Sequence, residues 1–287
     1  MHKSVLKKQV LEYLDPRSNE NFIDATFGLG GHSIDILKEN KPEGKVLAIE
    51  LDKELYKKAV SKDIDRLVLI NDSFKNLKKI VKENNFESVS GILLDLGFSS
   101  WHLEESGRGF SFKKNEPLDM RYSTDSELTA QEIVNQWSEK DIEKILKKYS
   151  QEKFGKRIAK NIIGQRKSKL IKTTFDLVEI IKKAVPSWYQ HKRIHFATKT
   201  FQALRITVND ELNNIRQALS DALEVLEKGG RLIVISFHSL EDRIVKNFFK
   251  NQKSLNILTK KPIKPSKEEI INNPRSRSAK LRAAVKV

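Results

Sequence analysis

Residues 24–37 read DATFGLGGHSIDIL. An apolar run, NFIDAT (21–26), leads into Gly28, Gly30 and Gly31, and a stretch with helical spacing follows. Strand, glycine turn and helix in that order place unbonded backbone N–H groups and a positive helix end beside any ligand at the turn. No Gly-Lys-Ser/Thr follows, so the turn is not a P-loop. Ser33 stands where the third glycine of G-x-G-x-x-G would fall, so a full dinucleotide fingerprint is missing as well. The next apolar run, KVLAIE (45–50), ends in Glu50, where a carboxylate accepts hydrogen bonds from both ribose hydroxyls. Ribose capture without a pyrophosphate fingerprint favours an adenosyl ligand such as S-adenosylmethionine over a nicotinamide dinucleotide. A tight turn that binds nothing is the remaining alternative.

Outward from this turn the pattern repeats. RLVLIN (66–71) and GILLDLG (91–97) are further strand candidates, with helical stretches near 32–40, 53–61 and 74–84 between them. Alternation of this kind predicts βαβ units and a parallel sheet covered on both faces. Asp95 ends the fourth strand, at the edge where open α/β sheets bind ligands. Phe74, just after the third strand, is either an adenine contact or a core residue. From about 106 to 204 no strand is expected. Thr129-x-x-Glu132, Ser138-x-x-Asp141 and Thr173-x-x-Asp176 each precede an apolar-periodic run and read as helix starts. The α/β pattern resumes near 205, with a helix over 209–227 closed by Gly229-Gly230 and a strand RLIVISF (231–237). Ser239 is placed to cap the helix after it. LNILTK (255–260) and SAKLRAAVKV (278–287) are the last strands, joined by a polar loop, KPIKPSKEEIINNP. The chain therefore divides into 1–105, 106–204 and 205–287: an α/β domain interrupted by an all-helical insertion.

The net charge of +16 is unevenly placed. Residues 140–200 carry 17 Lys and Arg against 5 Asp and Glu, and residues 259–287 carry 9 against 2. Such segregation on a near-neutral scaffold points to a polyanion partner. The absence of cysteine excludes disulfides, thiolate metal sites and a cysteine nucleophile. No run approaches a membrane span and the start lacks a signal-peptide core, so a cytoplasmic protein is expected. The histidines lack metal-ligand spacing, and no metal is expected.

Several stretches, in order and nearly end to end, resemble the RsmH (MraW) family of bacterial methyltransferases: HKSVL (2–6), DATFGLGGHS (24–33), GILLDLGFSS (91–100), RGFSF (108–112), PLDMR (117–121), TFQALRITVNDEL (200–212), GGRLIVISFHSLEDRIVK (229–246) and NPRSRSAKLR (273–282). The resemblance implies a Rossmann-like S-adenosylmethionine-dependent methyltransferase sheet with an inserted helical domain. It further implies S-adenosylmethionine as donor and, as acceptor, N4 of a cytosine at the decoding centre of 16S rRNA in the small ribosomal subunit. Carried over by motif, cofactor contacts fall on Gly30, Gly31, His32, Glu50, Phe74, Asp95 and His102. Three positions depart from the family pattern: Glu50 stands for the commoner Asp, His102 for Gln, and Glu116 for glycine.

Asp95-Leu96-Gly97-Phe98 has the Asp-x-x-aromatic spacing of other amino-methyltransferases. Asp95 is accordingly expected to accept the target amine or orient the cofactor, and Phe98 to stack on the base. Transfer to cytosine carbon 5 normally uses a thiolate adduct, which a chain without cysteine cannot form; transfer to nitrogen needs none. In SWYQHKRIHFATKTF (187–201), Trp188, Lys192, Arg193 and Lys199 are the candidate RNA contacts, although each aromatic there also suits a helical core. His238 and Glu241 in FHSLEDR serve either chemistry or the strand–helix junction, with the junction favoured. A DNA amino-methyltransferase and a ribosome-assembly factor with a vestigial pocket are the competing readings, and a nicotinamide oxidoreductase is a third that leaves the segregated basic charge unexplained. The oligomeric state is not legible.

Overall fold

The computed structural model describes residues 3–287. Seven strands form one sheet: β1 (Asn21–Asp24), β2 (Val46–Ile49), β3 (Leu67–Ile70), β4 (Val89–Asp95), β5 (Leu226–Ser236), β6 (Leu255–Ile257) and β7 (Lys280–Lys286). Their order is β3-β2-β1-β4-β5-β7-β6. β1 to β5 are mutually parallel, and β7 runs antiparallel to both β5 and β6. The four residues of β2 are all buried, the expected signature of a strand covered on both faces. The order reverses direction at β1, the topological switch point, so a ligand crevice is expected at the carboxyl ends of β1 and β4.

Two compact units divide the chain. One comprises Met1–Phe98 with Leu212–Val287, and the other Ser99–Glu211. The sheet unit holds its core between the strands and flanking helices such as Lys7–Leu14 and Gly31–Glu39, with Leu6, Val10, Phe22, Ile36 and Leu93 buried together. The helical unit has its own core, in which helix Glu139–Ser150 packs on Gly155–Arg166 and on Thr198–Val208. Its only strand-like feature among the described residues is an isolated bridge between Pro117 and Thr173. Thr129, Ser138 and Thr173 each cap a helix by accepting the backbone N–H three positions on, an arrangement worth about 1 kcal/mol each.

Three local expectations differ from the structure. Helix Glu211–Val225 passes directly into β5, which begins at Leu226 rather than 231; Gly229 and Gly230 lie inside the strand, where the pairing with β4 shifts register. Helix Ser239–Asn251 is capped by His238, not Ser239. His238 Nδ1 accepts the Glu241 N–H at 3.4 Å, and Glu241 Oε2 accepts from the Phe237 and His238 N–H groups at 2.8 and 3.1 Å. His238 and Glu241 thus hold this junction as a reciprocal box. Finally, the polar loop contains helix Lys267–Asn272, begun by Ser266, and a 3₁₀ turn, Pro274–Ser278.

Candidate active site

In the sheet unit three neighbouring strands deliver an acid to the same carboxyl edge: Asp24 at the end of β1, Glu50 just past β2 and Asp95 at the end of β4. Asp24 is buried. Its Oδ2 accepts from Ser33 Oγ at 2.6 Å and its Oδ1 from the Thr26 N–H at 3.1 Å. Ser33 therefore ties the helix after the glycine turn to β1, which explains a serine where a dinucleotide fingerprint has glycine. Thr26 Oγ1 in turn accepts from the Asp95 N–H at 2.7 Å, fixing β4 to the same turn.

Glu50 is buried and accepts from the Gly28 N–H through Oε2 and from the Asp52 N–H through Oε1, both at 2.8 Å. An ionised carboxylate has about four lone-pair sites, so acceptor capacity remains for a diol. Asp52 starts helix Lys53–Val60 by capping Glu54 and Leu55. Phe74, half-buried, opens a 3₁₀ turn at the carboxyl end of β3.

The glycine turn is built for close approach. Gly30 has φ +82°, and a Cβ there would lie 2.5 Å from the Phe27 ring; a Cβ at Gly31 would overlap Ser4 Oγ. Gly30→Ala is expected to cost roughly 1–3 kcal/mol, because both the backbone angle and the Phe27 ring must yield. Thermal denaturation and titration with S-adenosylhomocysteine measure this; an unchanged melting temperature and affinity would refute it.

Asp95 is the strongest functional signal. Its Oδ1 is buried and accepts no hydrogen bond from any described residue, yet 23% of its side chain is solvent-accessible. A buried acceptor left unsatisfied costs stability, and positions of this kind concentrate at sites awaiting a ligand. His32 Nε2, also buried, lies 3.7 Å from Asp95 Oδ2. Burial pushes the Asp95 carboxyl well above its ordinary range, and the charges of Asp24 and Glu241 push it further. Burial likewise raises Asp24, against its hydrogen bonds from Ser33 and Thr26. Glu50 is pushed up to about 8, chiefly by burial; the N–H groups of Asp52 and Gly28 pull it back, and the charges of Asp52 and Asp24 add to the rise. Displaced carboxylates gathered at one strand edge are a functional-site signature.

These residues fit an adenosyl ligand. The Gly28 and Gly30 N–H groups are used within the fold, by Glu50 and by the Phe27 carbonyl, while Glu50 retains acceptor capacity for ribose hydroxyls and Asp95 Oδ1 accepts no bond from any described residue. The structure thus brings Gly30, Gly31, His32, Glu50 and Asp95 together. Asp24, which sequence reasoning did not single out, completes the group; an acid ending an apolar strand, the signal used for Asp95, was present there too. Phe98, half-buried, follows Asp95 by three positions.

The remaining candidates lie in the helical unit. His102 is buried; its Nδ1 meets the Ser99 N–H at 3.2 Å and Ser99 Oγ at 2.9 Å, and its ring packs edge-on against Trp101, Phe110 and Tyr122. Glu116 Oε2 accepts from the Gly109 N–H at 3.0 Å, so the carboxylate that replaces the family's glycine joins the RGFSF and PLDMR segments. Of the Trp, Tyr and Phe side chains in 187–201, Tyr189, Phe196 and Phe201 belong to the core and Trp188, 53% exposed, faces solvent. Lys192 Nζ stands 4.8 Å from the Trp188 ring centre and Lys153 Nζ 5.6 Å. Arg193 is exposed, whereas Lys199 Nζ donates to the Gln151 carbonyl at 3.0 Å.

Sheet order, the single antiparallel crossing at β7 and the strand-end acids beside a glycine turn define a Rossmann-like methyltransferase. A crystal structure of a candidate rRNA methylase from Clostridium thermocellum shares this fold, with a TM-score of 0.50 and 15% identity over the whole of both chains. The sequence matches the MraW methylase family along residues 1–287, and the chain belongs to that family. Relatives named ribosomal RNA small subunit methyltransferase H are similar throughout. That of Dictyoglomus thermophilum is 48% identical, covering 98% of this chain and 95% of its own. That of Sulfurihydrogenibium azorense is 50% identical, covering 99% and 98%.

Proposed function

We propose that the protein transfers a methyl group from S-adenosylmethionine to the exocyclic N4 of a cytosine in 16S rRNA of the small ribosomal subunit, at the decoding centre. The names of the relatives support the RNA class. The observation that carries the chemistry is the buried, unsatisfied Asp95 Oδ1 beside the glycine turn.

When bound, S-adenosylmethionine supplies a methyl group already activated by its sulfonium. Gly30 and Gly31 let the backbone approach the adenosyl ligand, Glu50 accepts its ribose hydroxyls, and Phe74 and His32 line it. The cytosine amine is a poor nucleophile, because its lone pair is delocalised into the ring. Asp95 accepts an N–H of that amine, which favours the reactive pyramidal form, and takes up the proton released on transfer. Phe98 stacks on the base once it has left its helix. On the helical unit, Trp188 offers a stacking face, with Lys192 and Arg193 against the phosphates and Lys199 beside them. Among the described residues no helix is long and apolar enough to cross a membrane.

The test uses small ribosomal subunits from cells lacking this gene, incubated with the purified protein and methyl-labelled S-adenosylmethionine. Label is expected in N4-methylcytidine at one decoding-centre site. Label in a different nucleoside, or in DNA but not RNA, would replace this reading.

A further inference from the structure

The helical unit carries more positive charge than the mechanism uses, and the charge is sorted onto one surface. Residues 153–175 and 180–209 contain no Asp or Glu. Lys156, Arg157 and Lys160 fall three and four positions apart and share one face of helix Gly155–Arg166, with Lys153 just before its start. The opposite face takes Ile158, Ala159 and Ile162 into the core. All four cations are exposed, and none has an acid partner among the described residues. A merely solvated helix face interleaves its charges, as Lys147 and Glu143 do by pairing on the neighbouring helix.

Trp188 stands beside this face. Its side chain is 53% exposed, yet it is held in place. Phe154 meets it at 5.9 Å and 63°, and Tyr189 at 5.8 Å and 89°, so neither ring lies parallel on the indole. The Tyr189 hydroxyl donates to the buried Glu152, whose oxygens lie 2.9 and 3.2 Å away. Gln190 Nε2 donates to the Lys182 and Val185 carbonyls at 3.0 and 3.2 Å, which fixes the short helix Ser187–Gln190 carrying the indole. Lys192 Nζ and Lys153 Nζ lie 4.8 and 5.6 Å from the indole centre, and the Arg157 guanidinium 5.7 Å from that of Phe154. The aromatic group and the basic face are therefore continuous.

A fixed, exposed indole beside unopposed cations suits a ligand with flat π faces joined by negative charges, which is the constitution of a nucleic-acid strand. A base inside a duplex has both faces covered by its neighbours, so the indole takes an unpaired one. Stacking then replaces the exposed cation–π contacts and leaves the ammonium groups for the flanking phosphates. Arg157 can grip a phosphate through two N–H groups, and Lys156 and Lys160, about 6 Å apart along the helix, continue the line.

We propose that Trp188 and the helix face formed by Lys156, Arg157 and Lys160 are a binding site for single-stranded RNA, the indole stacking on one unpaired base and the cations holding the phosphates that follow it. The site rests on the rRNA-substrate reading above. It adds to that reading a demand for unpaired RNA, made by the helical unit alone.

The experiment titrates the protein with a mixed-sequence RNA decanucleotide, or with its duplex, across about 50 to 200 mM salt while tryptophan emission is followed; subunit methylation is assayed alongside. The single strand is expected to quench emission and to bind roughly tenfold more tightly than the duplex. Trp101 is buried and Trp137 half-buried, so the signal belongs to Trp188. Trp188→Leu should abolish the quenching and weaken binding roughly tenfold, and Trp188→Phe, which keeps a π face, should recover part of the affinity. Lys156→Ala/Arg157→Ala/Lys160→Ala should weaken binding and make the dependence of log Kd on log salt shallower by about 2. Lys57→Ala/Lys62→Ala/Lys250→Ala removes equal charge from exposed positions of the sheet unit and should do neither. Duplex bound as tightly as single strand, quenching kept in Trp188→Leu, or an equal effect from the sheet-unit lysines would overturn the site. Methylated subunits without binding of the single strand would overturn the site and leave the reaction standing. Binding as expected without methyl transfer to the subunits would support the site and overturn the reaction.

Discussion

Asp95→Asn is expected to lower turnover by roughly 10²- to 10⁴-fold, while S-adenosylhomocysteine still binds and the folded protein becomes harder to melt. Asparagine keeps the shape and a carbonyl acceptor, so the amine can still be held; it cannot take up a proton. The gain in stability follows from the same burial. The Asp95 carboxyl is raised well above its ordinary range by desolvation, with Asp24 and Glu241 adding repulsion. At neutral pH the unfolded chain ionises this acid freely and the folded chain does so only at a cost, so native stability falls as pH rises past the ordinary carboxylate range. A neutral amide removes that cost. Lost activity with raised melting temperature is the pattern of a residue kept for chemistry at the expense of stability; a merely structural residue would lower both. Single-turnover methylation and thermal scans at pH 8 decide the matter. Full turnover in the variant would remove Asp95 from the proton path and leave it an orienting role at most.

Much of this site was legible because its carriers obey strong local rules. Parallel strands covered on both faces read as short continuous apolar runs, so β1 to β5 stood out and their terminal acids with them. Glu50 and Asp95 were visible for that reason. Asp24 gave the same signal but precedes a glycine turn that drew the reading to its backbone, and Ser33 looked like a missing glycine until its bond to Asp24 gave it a partner. Where local chemistry allowed two answers, tertiary context chose. Gly229-Gly230 resembles a helix stop but sits in a register shift that sequence spacing does not encode. His238 and Ser239 can both cap, and the reach of Glu241 back to two N–H groups selected His238. Helix Lys267–Asn272 is too short and too polar to show a period. In 187–201, Trp188 was the aromatic named as an RNA contact although each of the four suited a helical core; burial took the other three and left Trp188 outside.

S-adenosylhomocysteine affinity should climb with pH by up to about tenfold per unit as pH approaches 8, level off above, and lose this dependence in Glu50→Gln. The acid faces Asp52 on its own loop and Asp24 on β1, and burial holds it protonated up to about 8, despite N–H groups from Gly28 and Asp52 that favour the anion. Below that point the free protein carries the proton. Ribose hydroxyls donate best to the ionised form, so binding must expel the proton, and affinity is reduced by the fraction still protonated. Without ligand the sign reverses. Between the ordinary glutamate range and 8 the folded chain holds more protons than the unfolded one, so this acid lowers stability as pH rises, by up to about 1.4 kcal/mol per unit. Ligand and pH therefore act in opposition on one carboxylate: alkali weakens the empty fold and strengthens the complex. At pH 8.5, replacing the two charge-assisted hydrogen bonds by those of a neutral amide should weaken binding on the order of 10²-fold. Titration calorimetry at pH 7 in buffers of differing ionisation enthalpy should find about one proton released per ligand in wild type and fewer in the variant, in which Asp24 and Asp95 still titrate. Equal proton release by the two proteins would assign the linkage to those other acids and take the ribose contact away from Glu50.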